Sequence, residues 1–155
     1  MKLPRFLLAA FALCGGLSMG CGFLGTEQVL EKARSPKVMA VNEMNEDQRN
    51  GLSEHGLLDE GEGIIWYYDP SVTGGADSAN VLTTERVGTY DKQDTYEVRF
   101  EDVVSAELDK GGTSERIRVE KSSGEFITLT FGLAADSARF FDSLCKKVGE
   151  ERCSR

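Results

Sequence analysis

A single histidine, His55, stands in the 155-residue chain, and nothing beside it supplies the nucleophile and orienting group that a catalytic base requires. The four cysteines show no CxxC spacing, and without further histidines they do not make a zinc set. The carboxylates of "LLDEGEG", Asp59, Glu60 and Glu62, lack the ladder of a calcium loop. They read as a solvated turn. No nucleophile motif, internal repeat or low-complexity tract is present, so the chain is expected to be no enzyme and to carry no cofactor or metal. Cations are the minority, 18 Lys and Arg against 26 Asp and Glu, for a net charge of −8. Such a domain repels nucleic acid and anionic lipid head groups.

What is present begins with an export signal. Lys2 and Arg5 precede "FLLAAFALCGGL", and the small residues Ser18 and Gly20 precede Cys21. That is the order of a secretory signal peptide, cut after residue 20. "LSMGC" resembles the lipobox of bacterial lipoproteins, which implies that Cys21 carries the lipid; Ser18 stands where that family has an aliphatic residue, with Leu17 one place earlier. Two other readings stay open. Phe6 to Leu24 is uncharged and close to the ~20 residues of a membrane-spanning helix, and plain secretion needs only the same cut. All three place the remainder outside the cytoplasm, at the cell envelope. Loss of residues 1–20 removes Lys2 and Arg5, taking the charge from −8 to −10. The remaining chain is long enough for one domain with a core, and residues 21–43 form its tether with a short helix in "TEQVLEKARS", ended by Pro36.

Export also bears on the other thiols. Cys14 leaves with the signal, and Cys145 and Cys153 remain in a compartment where disulfides persist. On one continuous helix their Cα atoms would stand ~12 Å apart, beyond the ~7 Å limit of a bridge. Pairing therefore requires the helix to end near Gly149 and the tail to fold back; the alternative is a buried Cys145 with Cys153 fraying in solvent.

From residue 44 the pattern is that of a folded domain. Asn45 and Gln48 make a capping box for a helix in "NEDQRNGLSEHG", which Gly56 ends, with His55 in its last turn. From Gly63 the period becomes two, through "IIWYYD", "NVLTTERVGTYD", "TYEVRFEDV", "VSAELDK", "RIRVEKS" and "EFITLTFG". Alternation puts Ile64, Trp66 and Tyr68 on one face of the first strand and Ile65 with Tyr67 on the other; it also puts Tyr96, Val98 and Phe100 on one side of a later strand. Arg86, Arg99, Arg116, Arg118 and Lys121 alternate with Glu97, Glu115 and Glu120, a pattern of solvated cross-strand ion pairs. A last amphipathic helix places Phe141, Leu144, Cys145 and Val148 on one stripe, with Phe140 one residue round from it.

"GLLDEGEGIIWYYD", "VLTTERV", "YEVRFEDVVSAEL", "IRVEKSSGEFITLTF" and "ARFFDSL" together resemble bacterial pleckstrin-homology-like domains of the PH and GRAM superfamily. The resemblance spans about Leu57 to Val148, and "LTTER" is its most specific piece. It implies a mainly β (α+β) fold: a seven-stranded antiparallel barrel or sandwich capped by one C-terminal α-helix and preceded by short N-terminal helices, with "VLTTERVGTYD" split near Thr84 and Glu85. The domain so defined covers residues 44–155. Relatives bind phosphoinositides through cations after the first strand, but here that loop is "PSVTGGADSAN", without Lys or Arg, so phosphoinositide binding is not expected. The expected role is a non-enzymatic lipoprotein presenting its module to a protein partner. The alternative is a small-ligand or glycan sensor using Trp66, Tyr67 and the 71–79 loop; core packing of those two rings is the competing explanation.

Overall fold

The computed structural model describes residues 37–71, 77–92, 94–132 and 135–155. The signal segment, Cys21 and the "TEQVLEKARS" helix lie outside them, as does most of the 71–79 loop. The described chain is mainly β: two sheets, two α-helices and three short 3-10 turns. Strands β1 (Val38–Met39), β2 (Ile64–Tyr68), β3 (Ser78–Thr83), β4 (Arg86–Asp91) and β5 (Asp94–Arg99) form one antiparallel sheet in chain order. Strands β6 (Val103–Asp109), β7 (Ser114–Lys121) and β8 (Phe126–Gly132) form an antiparallel meander, to whose β6 edge β9 (Cys153–Ser154) adds in parallel. The break between β3 and β4 falls at Thr84 and Glu85, as expected.

The strand count, the all-antiparallel pairing and the closed barrel need correction. Among the described residues there are nine strands, because Val38–Met39, inside the expected tether, pairs with Tyr67 and Tyr68, and because the C-terminal tail returns to β6. Among the described residues no backbone ladder joins the two sheets. Side chains bridge them instead. The β8 edge receives Asn80 Nδ2 on the Thr130 carbonyl and offers the Gly132 N–H to Tyr68 OH, each at 2.8 Å. Groups that a barrel would satisfy with a ladder are thus satisfied from β2 and β3.

Helix α1 (Glu46–Glu54) starts at the Asn45 capping box, with both reciprocal bonds to Gln48 present, and its chain turns away at Gly56, whose φ is 68°. Its Leu52, followed by Leu57, covers one face of the first sheet with Met39, Met44, Tyr67, Val81 and Tyr90. The other face joins the larger core: Tyr68, Leu82 and Val87 against Ile117, Leu129 and Phe131, closed by helix α2 (Ser137–Val148). "IIWYY" is apolar throughout because its sheet is covered on both faces. Strict alternation fails at its start. A β-bulge between Ile64 and Trp66 sends Ile64 to the α1 side with Tyr67, and Ile65 to the main core with Trp66 and Tyr68.

Asp136 caps α2 by accepting from the Arg139 N–H, and Gly149 ends it at φ 104°. Phe140 is as deeply buried as Phe141, contrary to its expected place off the stripe. The physical reason is a second neighbour: its ring meets Phe131 edge-on at 5.3 Å while Phe141 also faces inward.

Candidate functional site

The most elaborate polar construction is centred on Arg86. Its side chain is 3% exposed and binds Glu97 Oε2 at 2.6 Å, Glu62 Oε2 at 3.0 Å and the Asp59 carboxylate. Glu62 is itself buried, at 1% exposure. Thr83 completes the group: its hydroxyl contacts the Glu62 carboxylate and accepts from the Arg86 and Glu85 N–H groups at 3.0 and 3.2 Å. Burial alone works against the guanidinium charge, but hydrogen bonds to Glu97 and Asp59 and the charges of Glu97 and Glu62 outweigh it, and its pKa is raised. "LTTER" is therefore a tight turn whose arginine is drawn under the Asp59–Glu62 segment. The solvated-turn reading fails for Glu62 because Arg86 faces it across the strand edge. The solvated-pair reading fails for Arg86 by the same geometry. It holds better for Arg99, half exposed, which pairs with Glu85 at 3.2 Å. Chemically this network locks; its arginine has no unengaged face for a phosphate.

The rings proposed as a ligand platform are placed differently. Tyr67 is fully buried under α1, so it cannot stack on a ligand arriving from solvent. Trp66 packs at the edge of the main core, donates Nε1–H to Ser143 Oγ at 2.8 Å and carries the Arg139 guanidinium 3.9 Å from its ring centre. That combination staples α2 to the first sheet. His55 follows the last turn of α1, stacked on Tyr90 at 4.0 Å, with Nδ1 3.4 Å from Thr95 Oγ1.

Cys145 and Cys153 are joined, with Cα atoms 6.0 Å apart. The helix ends at Gly149, Glu150–Arg152 forms a 3-10 turn, and the tail comes back as β9. Arg152 Nη1 donates to the Val103 carbonyl at 2.7 Å and Arg155 pairs with Asp142, so the β6 edge is covered along that stretch.

Among the described residues a cavity of about 420 Å³ lies beside the disulfide, lined by Phe141, Asp142, Lys146 and Arg155, and two further regions are exposed. Phe126 and Val104 are about half exposed on β8 and β6, and the Arg118 guanidinium lies 3.8 Å over the Phe126 ring. A cavity of about 290 Å³ opens where the β8 edge meets β3, β4 and β5, and Tyr96 stands at it, 53% exposed although it shares its side of the strand with buried Val98. β5 is an edge strand, and its Tyr96 end extends past the inter-sheet core; that overhang was not legible from period alone.

Among the described residues no group of three or more His, Cys, Asp or Glu is placed to hold a metal ion, and no helix is long and apolar enough to cross a membrane. No family model, no curated protein and no solved structure matches the chain.

Proposed function

We propose that the chain is a non-enzymatic envelope lipoprotein, held at the membrane through a lipid on Cys21, whose pleckstrin-homology-like module makes contacts with a protein partner. The observation that carries the reading is the order of elements: an antiparallel meander from β2 to β5, a second from β6 to β8, then one amphipathic helix closing the core between them. The "LSMGC" segment supports the lipid anchor, with a retained apolar helix over Phe6 to Leu24 as the competing attachment. A cation-free loop after the first strand argues against phosphoinositide or phosphatidylserine as the ligand.

The contact face is the outer side of β6, β7 and β8. Aromatic residues and arginine are enriched at protein interfaces, and exposed Phe126 with Arg118 over its ring supplies both. The test is affinity capture from detergent-solubilised membranes with the full chain and its Phe126→Ala and Arg118→Ala variants. A partner retained by the parent and weakened at least ~30-fold by either substitution, the effect of losing ~2 kcal/mol, is the expected result. A partner retained equally by all three overturns this assignment of the face.

A further inference from the structure

The unclosed seam between the sheets has the chemistry of a binding site. Along its floor runs a row set by strand register: Asn80 opposite Thr89, and Thr89 opposite Tyr96. Thr89 Oγ1 donates to Asn80 Oδ1 at 2.8 Å, and Asn80 Nδ2 reaches the Thr130 carbonyl, so both polar groups of this buried amide are fixed before any ligand arrives. The other wall is the β8 edge. Because the Thr130 carbonyl and the Gly132 N–H both point away from β7, the two-residue period directs the Thr128 N–H and carbonyl the same way. Thr128 and Thr130 line the cavity through that backbone edge, which can donate and accept, while their side chains alternate with buried Ile127, Leu129 and Phe131 onto the outer face.

The lining also defines what is refused. No Lys, Arg or His is among the described residues around the cavity, and Asp91 is its charged member. A phosphate or carboxylate would lose its hydration here and gain no counter-charge. An extended peptide is refused by length, since Asn80 and Tyr68 already engage β8 at Thr130 and Gly132. At about 290 Å³ the space stands at the lower limit of small-molecule pockets and suits a single ring. Tyr96, more than half exposed, supplies a flat apolar face, the surface on which the C–H face of a pyranose rests.

We infer that this seam binds a neutral, polyhydroxylated ligand of one sugar ring, stacked on Tyr96 and hydrogen-bonded by the β8 backbone edge at Thr128. The inference is independent of the anchor. The experiment is saturation-transfer NMR with the full chain in detergent micelles, using N-acetylglucosamine as the neutral probe and glucuronate as the anionic one. Saturable transfer to N-acetylglucosamine is expected, with Kd raised about tenfold in Tyr96→Ala and little transfer to glucuronate. Tyr96 is exposed, so that variant keeps the parent's thermal transition, which is checked in the same samples. Asp91→Asn should raise glucuronate transfer and leave N-acetylglucosamine unchanged. Absence of saturable transfer to N-acetylglucosamine overturns the site, as does a Kd unchanged by Tyr96→Ala or a preference for glucuronate in the parent chain.

Discussion

Arg86 shows how one side chain can organise a segment. With 3% of it exposed, its charge is tolerable only because Glu62, Glu97 and Asp59 surround it. Arg86→Leu leaves the Glu62 carboxylate buried without its counter-charge, and a loss of about 3 to 5 kcal/mol is expected in denaturant unfolding. Adding Glu62→Leu should recover a substantial part, since the unpaired charge leaves with it. Arg99→Ala, by contrast, should cost no more than ~1 kcal/mol, because that pair is half exposed and screened. Equal losses for Arg86→Leu and Arg99→Ala would refute the buried-lock description. The tyrosines make a second residue-scale prediction. Burial raises the pKa values of Tyr67, Tyr68 and Tyr90, with the Tyr90 and Asp69 charges adding to the effect at Tyr67. An unfolded tyrosine loses its proton near ~10, so above that pH the unfolded state binds fewer protons than the native one and stability falls as pH rises. An alkaline titration should therefore show tyrosinate absorbance from these three appearing together with the loss of circular dichroism. Their ionisation while the fold persists would contradict the burial assigned to them.

At the scale of elements, α2 carries the main core. Phe140 and Phe141 are both inaccessible, and Phe140 has the additional edge-on contact with Phe131. Phe140→Ala and Phe141→Ala should each cost about 3 to 5 kcal/mol by thermal or denaturant unfolding. A Phe140→Ala loss below ~1 kcal/mol would show that its ring is not the packed one described. Phe140 also marks where sequence reasoning stops. Helix periodicity located Phe141, Leu144, Cys145 and Val148 correctly, but a stripe drawn on one helix cannot show that a second surface reaches round it. The same limit applies to "IIWYY": alternation separated Trp66 from Tyr67, while the bulge that moved Ile64 and Ile65 depends on pairing with Leu82 and Thr83. Local chemistry was more legible. The capping box of Asn45 with Gln48 follows from residues adjacent in the chain, the helix end at Gly149 from what pairing Cys145 with Cys153 requires, and the split of "VLTTERVGTYD" from the family resemblance. Tyr96 and the Arg86 network were not, because one depends on where an edge strand overhangs the core and the other joins residues far apart in sequence.

For the molecule as a whole, two coverings explain the architecture. Helix α1 and Leu57 shield one face of the first sheet, and the second sheet with α2 shields the other. The terminal strand β9, joined through Cys153 to α2, shields the β6 edge. Leu57 seats directly over Gly88, where a Cβ would meet its Cδ2 at 2.6 Å, so the lead-in segment fits the sheet only because that strand position has no side chain. Exposed among the described residues are the Phe126 and Arg118 face, the seam beside Tyr96, and a cavity at the disulfide lined by Asp142, Lys146 and Arg155. The membrane attachment proposed above rests on the N-terminal segment, through Cys21. The most direct measurement is accordingly membrane fractionation of the full chain and its Cys21→Ser variant, grown with a clickable palmitate analogue. The parent should sediment with membranes and take up label, and Cys21→Ser should lose the label and leave the membrane fraction. A parent chain that stays membrane-bound without label, or a Cys21→Ser variant that keeps both label and membrane, would contradict the lipid anchor.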